Sequence, residues 1–377
     1  MINQDSGYLT TDIINSLIGR GLNISLITGR LVTRNTPLSR SVEVRRIIRY
    51  KRNSNSRRLL SWAIGFLQIL YNVKIRYRKD YLFIFTNPPL STLLPVFCRN
   101  RFSLMIFDVY PDALIQMEII SPNSTLAKLW KSINRKIYPR ADNIFTLTES
   151  MSFLIKAYSG NKEIEVIPVW SDNKFFKSLS KSSNPFVAEH NLGDMFVVLY
   201  SGNLGVTHNV EIILELASSI QNPDIIFLII GEGARRKWLT EEIKKRGLNN
   251  CLILPLQPVD KIPYSFASAD LAIVSLGKMA SGVSIPSKTF NFMSAGLPLL
   301  CIAGEDSELK KLVTKYNNGG CFSPDKPSEI VTFIEEIAQN RDLLQLYKAN
   351  SLRASIDFTP QNAERIAETI IKSIHNN

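Results

Sequence analysis

Residues 198–209 read Val198-Leu199-Tyr200-Ser201-Gly202-Asn203-Leu204-Gly205-Val206-Thr207-His208-Asn209. An apolar run gives way to a turn with two glycines, and a helical pattern follows over residues 210–219. Strand, glycine turn and helix in that order aim free backbone N–H groups at a phosphate. Gly202 and Gly205 let the backbone approach such a group with no Cβ in the way. Asn209 is placed to cap the helix, and His208 to add a donor to a diphosphate oxygen. A purely structural turn has the same outline, so this stretch alone leaves both readings open.

Outward from it, short β-rich runs alternate with amphipathic helical stretches, the signature of parallel α/β sheets. Strands are expected at 196–201, 225–230, 252–254, 271–275 and 299–302 in the second half. In the first half they are expected at 24–28, 82–86, 104–107, 144–148 and 165–167. Helices are expected between them, among them 235–246. The fold class is therefore α/β, with two Rossmann-like doubly wound domains. The polar, lysine-bearing stretch 171–183 has linker composition. It divides an N-terminal domain, residues 1–170, from a C-terminal one, residues 184–357. A last amphipathic segment, 360–374, repeats Ala363, Ile366, Ala367, Ile370 and Ile371 at helical spacing. Only two residues precede Asn3-Gln4-Asp5-Ser6-Gly7, so the first strand reads as cut short, or the start as lying upstream.

The 377 residues are 45% hydrophobic and 21% charged, a globular composition that excludes fibrous and disordered classes. Cys98, Cys251, Cys301 and Cys321 are too dispersed for a zinc clasp or a redox pair, and nothing implies an oxidising compartment. With no basic-then-apolar leader pattern at its start, the chain reads as cytoplasmic. The net charge of +12 lies wholly in residues 1–79, where fifteen Lys and Arg face only Asp5, Asp12 and Glu43. That asymmetry points to an anionic surface or substrate, or else to a solvated basic face. Within the same region, residues 59–71 (LLSWAIGFLQILY) are apolar, with Ser61, Gly65 and Gln68 at helical spacing and basic residues on both flanks. Thirteen residues are too few to span a bilayer, so this is a core helix or one resting in a membrane interface.

A second constellation lies about 80 residues beyond the first: Ile285-Pro286-Ser287-Lys288-Thr289-Phe290-Asn291-Phe292-Met293-Ser294-Ala295-Gly296. Lys288 falls just inside a helix whose start is marked by Ser284 and Pro286. A lysine there offsets the charge of a departing nucleoside diphosphate. Asn291, one helical step on, shares its face and could reach a ribose. Taken singly, Lys288 also reads as an ordinary surface lysine.

Together, SGNLGVTHN and IPSKTFNFMSAGLPLL resemble the C-terminal domain of bacterial glycosyltransferase family 4, in the branch that builds capsule, O-antigen and colanic-acid repeat units. Thr86-Asn87-Pro88-Pro89, Asp108-Val109-Tyr110-Pro111-Asp112, Thr146-Leu147-Thr148-Glu149-Ser150 and Phe358-Thr359 agree with it, over nearly the whole chain. The resemblance implies two facing Rossmann-like halves of the GT-B type with a cleft between them. It also implies a C-terminal helix, within 358–377, crossing back to the first domain. The expected activity is retaining, metal-independent glycosyl transfer from a nucleotide-sugar donor on the second half to an acceptor on the first, with no cofactor.

Residue by residue, Gly202 and Gly205 match the phosphate-facing turn and Lys288 the phosphate-binding lysine, with Asn203, His208 and Ser287 beside them. Asn291 stands where many members carry the second glutamate of a ribose-gripping pair, and Val283 where they carry the first. Gln257 matches the nucleobase region, and Gly7 the first-half glycine loop near the diphosphate. Asp108 matches the N-domain position facing the donor sugar, as a catalytic residue, with Tyr110 and Asp112 on the acceptor side. The branch's lipid-linked saccharide acceptor implies peripheral binding to an anionic membrane through the basic N-terminal third, with no nucleic acid. Two other classes remain: a nucleotide-sugar epimerase of the same architecture, which needs no acceptor, and a nucleic-acid binder using residues 40–58. The latter segment offers only Tyr50 for base stacking.

Overall fold

The computed structural model describes the chain except residues 34–35, 52–53, 177, 206–208, 278–284 and 376–377 and the side chain of Asn55. It divides into two compact units. The first comprises Met1–Val169 with Pro360–Asn377, and the second Trp170–Thr359.

In the first unit the strands are β1 (Asp5–Ser6), β2 (Ser25–Thr28), β3 (Arg30–Leu31), β4 (Glu43–Arg46), β5 (Leu82–Phe85), β6 (Phe102–Ile106), β7 (Ile144–Thr146) and β8 (Ile164–Val166). β5 to β8 pair in sequence order, all parallel, and β2 pairs with β4. Ile2 joins these two sets through parallel bridges to Ile27 on one side and Ile84 on the other. Its amide donates to Phe83 O and its carbonyl accepts from Phe85 N. The opening residues therefore lie in the middle of the sheet, although too short to carry a strand pattern of their own. β5 and β6 are buried along their whole length, which is why both read as unbroken apolar runs. β4 escaped the sequence reading because Glu-Val-Arg-Arg is an edge strand, paired on one side only and charged toward solvent.

The 59–71 segment lies in the Asn55–Ile75 helix, whose buried inner face mixes polar and apolar residues. Ser61 is buried beside Ile69 and Val73 on the inner face, and the exposed Gln68 accepts the Ile48 amide through Oε1 at 2.7 Å. A Cβ on Gly65 would stand 2.4 Å from Gln4 Nε2, which itself donates to the carbonyls of Ser61 and Ile48. This seam satisfies the backbone of the irregular segment around Ile48, whose polar groups have no strand partner there. Leu60, Leu67 and Tyr71 are left 61%, 62% and 65% exposed. The core-helix reading fails for that outer face. The Gln361–His375 helix closes the unit with Ala363, Ile366, Ala367 and Ile370 buried, and the Arg101 guanidinium donates to Ser373 O near its end.

The second unit is one six-stranded parallel sheet. Its strands are β9 (Phe196–Asn203), β10 (Ile225–Glu232), β11 (Cys251–Leu254), β12 (Leu271–Ser275), β13 (Leu299–Ile302) and β14 (Gly319–Phe322). The spatial order is β11-β10-β9-β12-β13-β14. The chain winds outward from β9 through β10 to β11, then returns to lay β12 on the other side of β9. The sheet order reverses between β9 and β12, and helices that follow the two strands diverge there. Open α/β sheets bind ligands at the carboxyl end of such a switch point.

Residues 171–183, expected as a linker, are instead part of this unit. Phe176 is buried and stacks on Phe266 with ring centres 5.4 Å apart. Lys181 pairs with Asp270 at 2.7 Å and donates to Met195 O. Lysines and serines look like a solvated connector until a buried carboxylate far along the chain captures one of them. Asp270, 8% exposed, also accepts from Lys348 and from the Val197 amide at the start of β9. Removing one partner from a buried ion pair strands the others. Asp270→Ala is therefore expected to destabilise the second unit by about 2–4 kcal/mol. Calorimetric melting would show it as a lowered transition, and an unshifted transition would mean that the cluster is idle.

Candidate active site

β9 carries Tyr200, Ser201, Gly202 and Asn203 to the carboxyl edge beside the switch point. Gly202 has φ 150°, a conformation that favours glycine. The turn is tied back by Leu204 N to Glu232 O at 2.8 Å and by the Tyr200 hydroxyl to Asn203 O at 2.8 Å. Lys288 is the first residue of the Lys288–Ser294 helix. Its Nζ would lie 3.6 Å from a Cβ placed on Gly202, so a side chain there would occupy the space against the amine. The amine stands 3.9 Å from the centre of the Tyr200 ring.

That amine is buried, with no hydrogen-bond partner among the described residues. Loss of hydration lowers its pKa from 10.5 to about 7, opposed by Cys301 on β13. A buried, unpaired amine beside a glycine turn is costly for the fold alone. It suits an anion that brings its own charge, and the turn and the lysine together can bind the oxygens of a phosphate or diphosphate.

The other donor-side residues are placed less evenly. Asn203 is exposed and Gly205 half-buried in the same turn, and Ser287 is exposed directly before Lys288. Gln257 follows β11, two strands from β9, and its amide nitrogen donates to Pro255 O at 2.9 Å. His208 and the Val283 and Ser284 positions lie outside the described residues. Asn291 does not join the group: it is 7% exposed, and its side-chain oxygen accepts from Ser171 at 2.9 Å. Its role here is to tie the entry of the unit to the helix. Asn209 does not cap the next helix either. It adopts φ 45°, and the Ile212–Ser219 helix starts after Glu211 with no side-chain cap.

Two residues at this edge were not picked out from the sequence. Tyr200 looked like any aromatic in a core strand. Ser275, the last residue of β12, is buried with its hydroxyl unpartnered. Neither belongs to a spacing pattern; only the pairing of β9 with β12 brings their strands together.

In the first unit, Gly7 follows β1, while Thr86 follows β5 and Asp108 follows β6 at the carboxyl ends of paired strands. Gly7 precedes the Tyr8–Leu17 helix, with no atom within 4 Å of where its Cβ would be. Thr86 Oγ1 accepts the amides of Phe107 and Asp108 at 3.0 and 3.3 Å. Asp108 is exposed, yet the protein crowded around its carboxyl raises its pKa above the usual carboxylate value, against a hydrogen bond from Tyr110. The Tyr110 ring stacks on Trp130 at 6.0 Å. Asp112 is already engaged: Lys131 pairs with one oxygen at 3.0 Å and the Tyr158 hydroxyl donates to the other. Its carboxylate anchors two helices.

The comparisons with known proteins support a glycosyltransferase with the GT-B fold. Residues 183–353 match the family model of glycosyl transferases group 1. The probable glycosyltransferase WbjE of Pseudomonas aeruginosa is 26% identical over 76% of this chain and 74% of its own. The putative colanic acid biosynthesis glycosyl transferase WcaI of Escherichia coli is 25% identical over 76% of this chain and 70% of its own. Among solved structures, sucrose-phosphate synthase from Thermosynechococcus elongatus superposes with a TM-score of 0.72 at 14% identity, over 99% of this chain and 96% of that one. Anabaena HepE, solved in complex with UDP and glucose, gives 0.70 at 15% identity, over 98% of each chain.

The lysine carries a pH signature. Its folded pKa, about 7, lies below the 10.5 of a free lysine, so between those values the unfolded chain binds the extra proton. Stability contributed through this residue therefore rises with pH across that window and is flat below it. Lys288→Met should melt higher than the parent at pH 6, with the gap narrowing toward pH 9. A gap that does not change with pH would place the amine in water.

Proposed function

We propose that this glycosyltransferase takes a sugar from a nucleotide-sugar donor and transfers it, with retention and without a metal, to a lipid-linked saccharide in surface polysaccharide assembly. The observation that carries the donor half is the unpaired Lys288 amine against Gly202. The family match of the surrounding segment and the UDP named with HepE agree with it. The polysaccharide setting follows from the colanic acid pathway in the name of WcaI.

In this reading the donor diphosphate lies along Gly202, Asn203 and Gly205, with Lys288 on the leaving oxygens and Ser287 beside it. The bond from the anomeric carbon to the diphosphate breaks, and its electron pair leaves with the diphosphate. Lys288, protonated in the presence of that anion, stabilises the developing charge. The acceptor oxygen bonds to the anomeric carbon on the face being vacated. Its proton passes to a departing phosphate oxygen or to Asp108, whose raised pKa suits it to accept one. Tyr110 holds Asp108 in place, and Gly7 leaves room for the substrate beside the first unit's helix. Gln257 serves the nucleobase.

Lys288→Ala is expected to cut transfer by roughly 100- to 1,000-fold while the chain still melts cooperatively. Radiolabelled transfer from a panel of nucleotide sugars to lipid-linked acceptors would measure it, and near-parental turnover would remove the assigned role. Conversion of the nucleotide sugar with the acceptor left out would identify an epimerase instead.

The lipid acceptor fits the outward face of the Asn55–Ile75 helix, where Leu60, Leu67 and Tyr71 are exposed between Arg57 and Lys74. An apolar stripe with basic ends suits an anionic membrane interface. Among the described residues no helix is long and apolar enough to cross a membrane. The protein is expected to sediment with phosphatidylglycerol vesicles and to be released by salt, and Leu60→Glu with Leu67→Glu should abolish binding. Equal binding to neutral vesicles, or none to either, would dismiss the peripheral membrane role.

A further inference from the structure

We propose that Tyr200 is the positioning residue that unites the two parts of the donor site: its ring face holds the Lys288 amine at Gly202 while its hydroxyl fastens the turn through Asn203. This rests on the reading of Gly202 and Lys288 as the diphosphate site.

Three observations meet in this side chain. Tyr200 is fully buried in the apolar core of the second unit, so its ring cannot move aside. The Lys288 nitrogen is 3.9 Å from the ring centre, well within the reach of a cation–π contact. That contact stands in for the hydrogen bonds the nitrogen lacks. The phenol oxygen at the other end of the ring donates to Asn203 O at 2.8 Å. Gly202, whose conformation shapes the turn, lies between the two. A phenylalanine would supply the ring without the tether, and a leucine neither.

The ring also governs how readily the amine holds its proton in the empty site. The ionisable groups facing it among the described residues are the Tyr200 phenol on β9 and the Cys301 thiol on β13, with Cys321 beside the latter on β14. Burial raises the pKa of all three, so each stays neutral where the lysine titrates. The Lys288–Ser294 helix adds no further titratable side chain. The aromatic face acts beside Cys301 in offsetting the lost hydration of the ammonium. A diphosphate that binds there meets an amine already in position and restores its proton, so affinity should fall as pH rises above about 7.

The test uses the whole chain and a ring series at position 200: Tyr, Phe, 3,4,5-trifluorophenylalanine and Leu. The Lys288 Cε resonance, assigned with Lys288→Met, is followed by NMR against pH. Phe should leave the midpoint near that of the parent. The fluorinated ring, of nearly the same shape but with a depleted face, should lower it by about half a unit to one unit. Tyr200→Leu should lower it by about one unit if the variant folds. In parallel, UDP, GDP, ADP and dTDP are titrated calorimetrically. Tyr200→Phe should weaken the nucleotide that binds by about 3- to 10-fold at every pH, the loss of one hydrogen bond. Equal midpoints for Phe and its trifluoro analogue, with the parent binding a nucleotide, overturn the role of Tyr200 alone. A parent chain that binds none of the four overturns the donor site and this role with it.

Discussion

A buried amine with no hydrogen-bond partner among the described residues is the constraint around which the second unit is organised. Lys288 is held away from water at the carboxyl edge of the sheet, with an aromatic face on one side and a glycine on the other. An arrangement this unfavourable for an isolated protein persists because the surrounding sheet leaves the side chain no other place. β9 and β12 are locked by their register, and β13 closes the far side.

The first unit meets a different demand. Its carboxyl edge presents the exposed Asp108 carboxylate, which takes a hydrogen bond from Tyr110 while the residue's own amide donates to Thr86 Oγ1. Its long helix buries Ser61, Ile69 and Val73 and carries Gln68, which accepts the Ile48 amide. Leu60, Leu67 and Tyr71 stay exposed on the outer face. Charge and apolar surface thus collect on the same N-terminal third.

Much of the fold was legible because parallel strands buried on both faces must be apolar throughout, and all ten expected strands are present within a residue or two at most ends. The missing ones, β1, β3, β4 and β14, are short, charged or glycine-bearing edge elements whose pairing supplies what their composition does not. Of the site, the glycine turn and Lys288 were readable from type and spacing, because a phosphate asks for backbone amides and a cation. Asn291 and Asn209 were misjudged for one reason. Helical spacing predicts which residues share a face, but the start of a helix and its roll against the sheet decide where that face points.

By itself, the order of residues determined the two α/β units, the presence of a glycine turn and a lysine suited to a diphosphate, and the concentration of positive charge in the first 79 residues. These are local properties, set by periodicity, turn chemistry and charge. Only the tertiary structure decided that the lysine is dehydrated, that Tyr200 lies beneath it, that Asp270 gathers the supposed linker into the second unit, and that the apolar face of the Asn55–Ile75 helix looks outward. Each depends on contacts between residues far apart in the chain. Burial and its electrostatic consequences arise only once those residues have been brought together.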